Sequence, residues 1–148
     1  METRKLGLNG PEISVVGMGG WEAGGMWGTN PPDDEIVRAY QAGFDVGITW
    51  VDTAEVYGPH RSEELISEAV KGCDDVMVFT KVAGSPPGSG YDADGIRAGA
   101  EGSLRRLGRD VIDLYQLHFP LPGMDLEAAL GGDGPSCRRW PCALRRRV

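Results

Sequence analysis

Metal ligands are scarce in this sequence. The 148 residues include two histidines, His60 and His118, and three cysteines, Cys73, Cys137 and Cys142. No C-x-x-C pair occurs, so neither a metal cluster nor a disulfide framework has ligands at usable spacing. No apolar run reaches membrane-spanning length, and the first residues lack the core of a signal peptide. A cytoplasmic protein that does not engage membranes is the expectation. Positive charge is in deficit, with 15 Lys and Arg against 22 Asp and Glu and a formal net charge of -7. That balance does not attract nucleic acid or anionic lipid. Two phosphate-binding signatures are also missing. GMGGWEAGG begins as G-x-G, but Glu22 stands where the third glycine should be. No Walker A pattern occurs either.

What the chain does contain is 41% hydrophobic residues, enough for one modest core, and 23 glycines, which suggest many turns. The pattern divides the chain in two. Through about residue 130, apolar strands alternate with amphipathic helices. Beyond it, LGGDGPSCRRWPCALRRRV holds five of the 15 basic residues and weak periodicity. Residues 131–148 are expected to be an atypical, disordered basic tail. The whole chain's acidity and the lack of aromatic-basic repetition argue against a nucleic-acid arm.

RKLGLNGPEISVVGMG predicts two short strands around an Asn9-Gly10 turn, with Ile13, Val15 and Val16 giving the second its apolar character. A glycine-rich loop with two tryptophans follows. DDEIVRAYQAGF predicts a helix with acidic residues at its dipole-favoured start and Ile36, Val37, Tyr40 and Phe44 on one face. GITWVDT is the next strand, and SEELISEAVKG a helix with Ser62 as N-cap and Gly72 as stop. DVMVFTK is a strand ending at Lys81. ADGIRAGAEGSLRRLG is a helix whose Ile96, Ala100, Ser103, Leu104 and Leu107 face inward. DVIDLYQLHF is a strand ending near His118.

Repeated alternation of this kind favours a parallel sheet covered by helices, either open or closed into a barrel. Right-handed crossovers then place all strand C-termini on one side. Asp52, Lys81 and His118 fall at such ends, and Tyr57 lies just beyond one. Taken singly, each has an ordinary reading: Asp52 as a loop cap, Lys81 as a surface lysine, Tyr57 as packing, His118 as a core histidine. Together they form a group suited to carbonyl reduction. Asp52 can pair with Lys81, whose ammonium would stabilise the phenolate of Tyr57 and make it a better proton donor. A neutral His118 could donate a hydrogen bond to a carbonyl oxygen as charge builds there. The hydride must come from a cofactor, and a nicotinamide is the usual source.

GITWVDTAEVYG, SEELISEAV, VMVFTKV and GSLRRLGRDVIDLYQLHFP closely resemble the aldo-keto reductase family over roughly residues 3–120. The resemblance implies an α/β fold of the (β/α)8 TIM-barrel type. Here that means a partial barrel of about four β/α units with an N-terminal hairpin closing its bottom, residues 1–130 forming the N-terminal half of an NADP-dependent oxidoreductase domain. It implies Tyr57 as general acid, Asp52 and Lys81 as its supporting pair, and His118 as the substrate-orienting histidine. Gly19, Gly20 and Trp21 match the loop beside cofactor and substrate, and Asp52 also matches a residue near the nicotinamide ribose. NADPH is the implied cofactor, and small aldehydes, ketones or sugars the implied substrates. Family members often carry threonine where Gly20 sits.

The family barrel needs eight strands, and only four are recognisable here. DLEAAL looks like the start of a fourth barrel helix, after which the family pattern stops. Regions that hold the carboxamide, the adenosine and its 2'-phosphate would then have no residues in this chain. A frame-shifted or artificially terminated continuation accounts for the tail. A half barrel leaves edges unpaired and an inner face open, carrying Val51, Val78, Phe79 or their alternating neighbours, which invites self-association. The alternative to an oxidoreductase is therefore a non-catalytic family product, acting as an assembly partner or without function.

Overall fold

The expected hairpin forms, β1 (Thr3–Lys5) pairing antiparallel with β2 (Glu12–Ser14), Thr3 opposite Ser14. Its connection is the longer loop 6–11, closed by the Leu6 amide on the Pro11 carbonyl (2.9 Å) with Gly7 in the left-handed region, rather than a two-residue Asn9-Gly10 turn. The computed structural model of the chain describes residues 1–26, 28, 30–84, 91–120 and 122–125. The expected basic tail and the DLEAAL helix from residue 126 onward lie outside the described residues.

The hairpin is bolted to the start of a second sheet. The Ser14 amide donates to Thr49 Oγ1 (2.9 Å), the Thr49 amide to Ser14 Oγ (3.0 Å), and the Trp50 indole N–H to the Ser14 carbonyl (2.9 Å). The pairing with β1 runs one bond further, the Val15 amide donating to the Glu2 carbonyl (3.0 Å), and the chain then leaves the hairpin. Val15 and Val16, expected within a strand, are instead exposed and lie between β2 and β3 (Met18–Gly19). Gly17 has no room for a side chain there, since a Cβ would stand 2.3 Å from the Trp50 ring.

The second sheet is parallel, in the order β3, β4 (Trp50–Asp52), β5 (Met77–Val82), β6 (Leu114–Leu117). A helix follows each of its first three strands: α1 (Asp33–Asp45), α2 (Arg61–Ala69) and α3 (Ala93–Leu107). Such connections run every strand in one direction and gather the C-terminal ends on one side. The α/β alternation and partial parallel sheet are those of an incomplete barrel. No helix among the described residues is long and apolar enough to cross a membrane.

Strand periodicity assigns the two faces. Val51, Val78, Val82 and Tyr115 are buried in the core with Leu65, Ile66 and Ala69 of α2 and Ile96, Ala100 and Leu107 of α3. Asp52 lies opposite Phe79, and Lys81 opposite Gln116, so these residues occupy the other face. Val51 and Val78 thus belong to the helix-covered side. Phe79, stacked on Trp50 at 5.2 Å between ring centroids, marks the opposite one. The described fragment already owns a core, between sheet and helices, independent of closing a barrel.

The helix faces match their patterns. Tyr40 is buried and stacks on Phe44, and Ile36 and Val37 pack against the same core. On α3, Asp92 caps the start through the Gly95 amide (2.7 Å), and Gly108 ends it in the left-handed region. Two expectations for α2 fail. Ser62 is not its N-cap; it lies inside the helix, fully buried, donating to the Gly20 carbonyl (2.7 Å) and bonded to Thr53 Oγ1 (2.8 Å). His60 takes the cap position at φ 73°. The helix also ends at Ala69, before Gly72, which turns the chain toward β5.

Candidate active site

The sheet's three consecutive strands β4, β5 and β6 deliver Asp52, Lys81 and His118 to one end. His118 follows β6, its amide still paired with the Val82 carbonyl (2.9 Å). Lys81 Nζ forms an ion pair with Asp52 Oδ1 and also donates to the Thr53 carbonyl (2.8 Å). The pair is partly screened from water, with 14% of the lysine side chain and 33% of the aspartate side chain exposed. Gln116 Nε2 approaches the second Asp52 oxygen at 3.4 Å. Gln116 is not among the residues that strand ends and spacing single out. Its position two residues before His118 puts it on the site face, and that period of two is the signal that could have found it.

Tyr57 reaches the same place from the β4–α2 loop and is 7% exposed. Lys81 Nζ lies 5.3 Å from its ring centroid. The His118 ring stands 5.4 Å away at 76°, and the Trp21 ring meets Tyr57 edge-on at 4.8 Å and 90°. All four residues expected to carry the chemistry are thus brought together, and Trp21 with them.

His118 stacks on Phe119 at 4.1 Å. Burial pushes its pKa below the ordinary histidine value; the Lys81 ammonium pushes it further down, while Asp52 and Glu55 oppose both. That direction favours the neutral imidazole at pH 7, which still keeps one N–H to donate to a carbonyl. Its Nδ1 is buried and has no hydrogen-bond partner among the described residues.

The glycines separate into two kinds. Gly19 pairs opposite Asp52, and a Cβ there would meet nothing within 4 Å, so open space adjoins the ion pair. Its carbonyl accepts from the Tyr40 hydroxyl (2.9 Å), whose pKa burial raises to about 12. Gly20 faces inward: its amide donates to the Asp52 carbonyl (2.7 Å), its carbonyl accepts from Ser62, and a Cβ would stand 2.6 Å from Ser62 Oγ and 2.9 Å from the Asp52 carbonyl oxygen. Both of its backbone polar groups are engaged inside the protein.

Trp21 is placed by the loop that follows. The turn Glu22–Gly24 packs against Gly58, and Arg61 holds it by donating to the Ala23 carbonyl (2.9 Å) while pairing with Asp33.

The family model described as Aldo/keto reductase family matches residues 15–132. Aldo-keto reductase YhdN of Bacillus subtilis (strain 168) is 37% identical over 135 residues, 86% of this chain and 40% of its own length. The crystal structure of the thermostable aldo-keto reductase Tm1743 with the inhibitor epalrestat superposes with a TM-score of 0.80 at 33% identity, covering 96% of this chain and 52% of that one. An aldo/keto reductase from Klebsiella pneumoniae, solved with NADP and acetate, gives a TM-score of 0.73 at 27% identity over 88% of this chain and 44% of that one. The chain therefore spans about half or less of the length of the relatives it matches.

Proposed function

The chain belongs to the aldo/keto reductase family, and from that premise we propose that it carries the acid–base half of an NADPH-dependent reductase of aldehydes or ketones. The convergence of Tyr57, Lys81, Asp52 and His118 at one end of the sheet is the observation that carries this reading. Open space beside Gly19, next to the Asp52–Lys81 pair, fits a bound ligand at that end, and a related structure holds NADP.

When bound, NADPH supplies a hydride to the carbonyl carbon. Tyr57 gives its hydroxyl proton to the carbonyl oxygen, which becomes the alcohol oxygen, and recovers a proton from water. The Lys81 ammonium, held by Asp52 and the Thr53 carbonyl, stabilises the negative charge this transfer leaves on Tyr57. His118, neutral, donates to the substrate oxygen and orients it. Asp52 and the open side of Gly19 would hold the cofactor, and Trp21 would wall the site. Gly20 contributes by fixing the turn rather than through free backbone groups. The same reading places the protein in the cytoplasm, which fractionation of the tagged protein tests.

A second reading concerns this polypeptide by itself. Among the described residues β3 and β6 each pair on one side only. We propose that the remaining cofactor contacts come from sequence beyond this chain and that residues 131–148 are a frame-shifted or artificially terminated continuation. The chain alone then reduces no carbonyl and self-associates through its sheet edges, or acts as an assembly partner. Turnover of a simple aldehyde by the purified chain would overturn its inactivity, and a sedimentation profile showing only monomer would overturn its self-association. Coding DNA downstream of Leu130 should contain, in another frame, further barrel strands.

A further inference from the structure

Glu55 lies between Asp52 and Tyr57, and the proposed chemistry does not use it. Its side chain is 14% exposed. Oε1 accepts from two consecutive amides just past β5, Ala83 at 2.7 Å and Gly84 at 3.3 Å. Its own amide donates to the Lys81 carbonyl at 3.3 Å, and its carbonyl accepts from the His60 amide at 3.0 Å and His60 Nδ1 at 2.7 Å. One residue thus ties the Tyr57 loop to the end of the strand that bears Lys81, through backbone and side chain together.

The tie is itself anchored. Arg106 of α3 places Nη2 3.8 Å from Glu55 Oε2, while its Nε donates to Glu63 and Nη2 also donates to Ser103 Oγ (3.3 Å). Glu63 of α2 is fully buried, and its second oxygen accepts from Thr80 of β5 at 2.7 Å. Breaking the buried, hydrogen-bonded Arg106–Glu63 pair is strongly unfavourable, so that pair holds Arg106 beside Glu55 whether or not Glu55 is charged.

We propose that Glu55 is a positioning residue that sets the spacing of Tyr57 from Lys81 and His118 by clamping the Tyr57 loop to the Ala83 and Gly84 amides. Its catalytic meaning rests on the reductase reading, but the clamp is tested by geometry alone, so failure of one is distinguishable from failure of the other. The acceptor oxygen, not the negative charge, does the clamping. Glu55→Gln keeps an acceptor at the same reach and removes the charge. Glu55→Asp keeps the charge and withdraws the acceptor by one methylene.

The experiment is NMR on the full 148-residue chain, following exchange of the Ala83 amide, the Tyr57–His118 ring nuclear Overhauser contact and the helical circular dichroism. Glu55→Asp should speed Ala83 exchange about tenfold or more, the loss of one hydrogen bond to a charged group, and abolish the ring contact with helix content intact. Glu55→Gln should keep the contact and most of the protection. Retention of the contact in Glu55→Asp overturns the proposal. Loss of it in Glu55→Gln shows that charge dominates and overturns it equally. Global unfolding of either variant would make Glu55 a residue of the whole fold rather than of this spacing, which also overturns the proposal.

Discussion

Gly58→Ala is the perturbation that best separates backbone strain from loop packing at this site. Gly58 has φ 67°, and a Cβ there would stand 1.9 Å from the Gly24 carbonyl oxygen and 2.6 Å from its carbon. Gly72 has φ 77° with nothing within 4 Å of the same construction. Both alanines incur the left-handed penalty of about 1–2 kcal/mol, less roughly 0.4–1 kcal/mol recovered from a stiffer unfolded chain. Gly72→Ala should therefore cost about 1 kcal/mol. Gly58→Ala must in addition push the Gly24 backbone away by about 1 Å, an overpacking that costs typically about 1–3 kcal/mol. The excess is about 2 kcal/mol, or a urea midpoint lower by about 1 M at an m-value of about 2 kcal/mol/M. The turn it displaces carries Trp21, so the 4.8 Å edge contact with Tyr57 should be lost in Gly58→Ala and kept in Gly72→Ala. Urea unfolding at one fixed chain concentration, so that association contributes equally, is the assay. Equal midpoints for the two variants would refute the packing of the Trp21 loop against Gly58.

His118, held below the ordinary value of about 6.5 by burial and by Lys81, binds fewer protons folded than unfolded. Its contribution to stability is present above about pH 6.5 and lost as pH falls through the native pKa. Proton NMR of a chain with two histidines should show its midpoint below that of the denatured chain, and Lys81→Met should raise it, because the ammonium goes while Asp52 and Glu55 stay; a native midpoint above the denatured one would contradict the site's electrostatics. Tyr40→Phe should cost about 1 kcal/mol, because the part-buried bond from its hydroxyl to the Gly19 carbonyl is lost. An unchanged urea midpoint would show that this bond carries nothing.

The parts of the fold that sequence made legible are those written in local periodicity. Ile96, Ala100, Ser103 and Leu107 recur at helical spacing and are all buried. Asp52, Lys81 and His118 stand at strand ends, and parallel connectivity alone brings strand ends together. What escaped was decided by distant contacts. Ser62 has the chemistry of a cap, but the Gly20 carbonyl and Thr53 hydroxyl claim its oxygen from inside the core. Val15 and Val16 look like buried strand residues, yet β2 ends at Ser14, the Val15 amide makes one last bond to Glu2, and both side chains are exposed. Glu55 was invisible because its partners are backbone amides 28 and 29 residues away, which no side-chain spacing rule encodes. The inner face was ambiguous by one residue, and a strand's period of two makes that the whole difference between Val51 and Asp52.

The proposed role of Tyr57 as proton donor is tested most directly with this chain through Leu130 joined to the remaining portion of YhdN, with Tyr57→Phe beside the unmutated form. Turnover of a simple aldehyde and fluorescence titration of NADPH are measured together. The account predicts that Tyr57→Phe loses roughly 10²-fold or more in kcat while the NADPH titration is unchanged. Turnover by Tyr57→Phe within about twofold of the unmutated form, too small a loss for removal of a general acid, would contradict it.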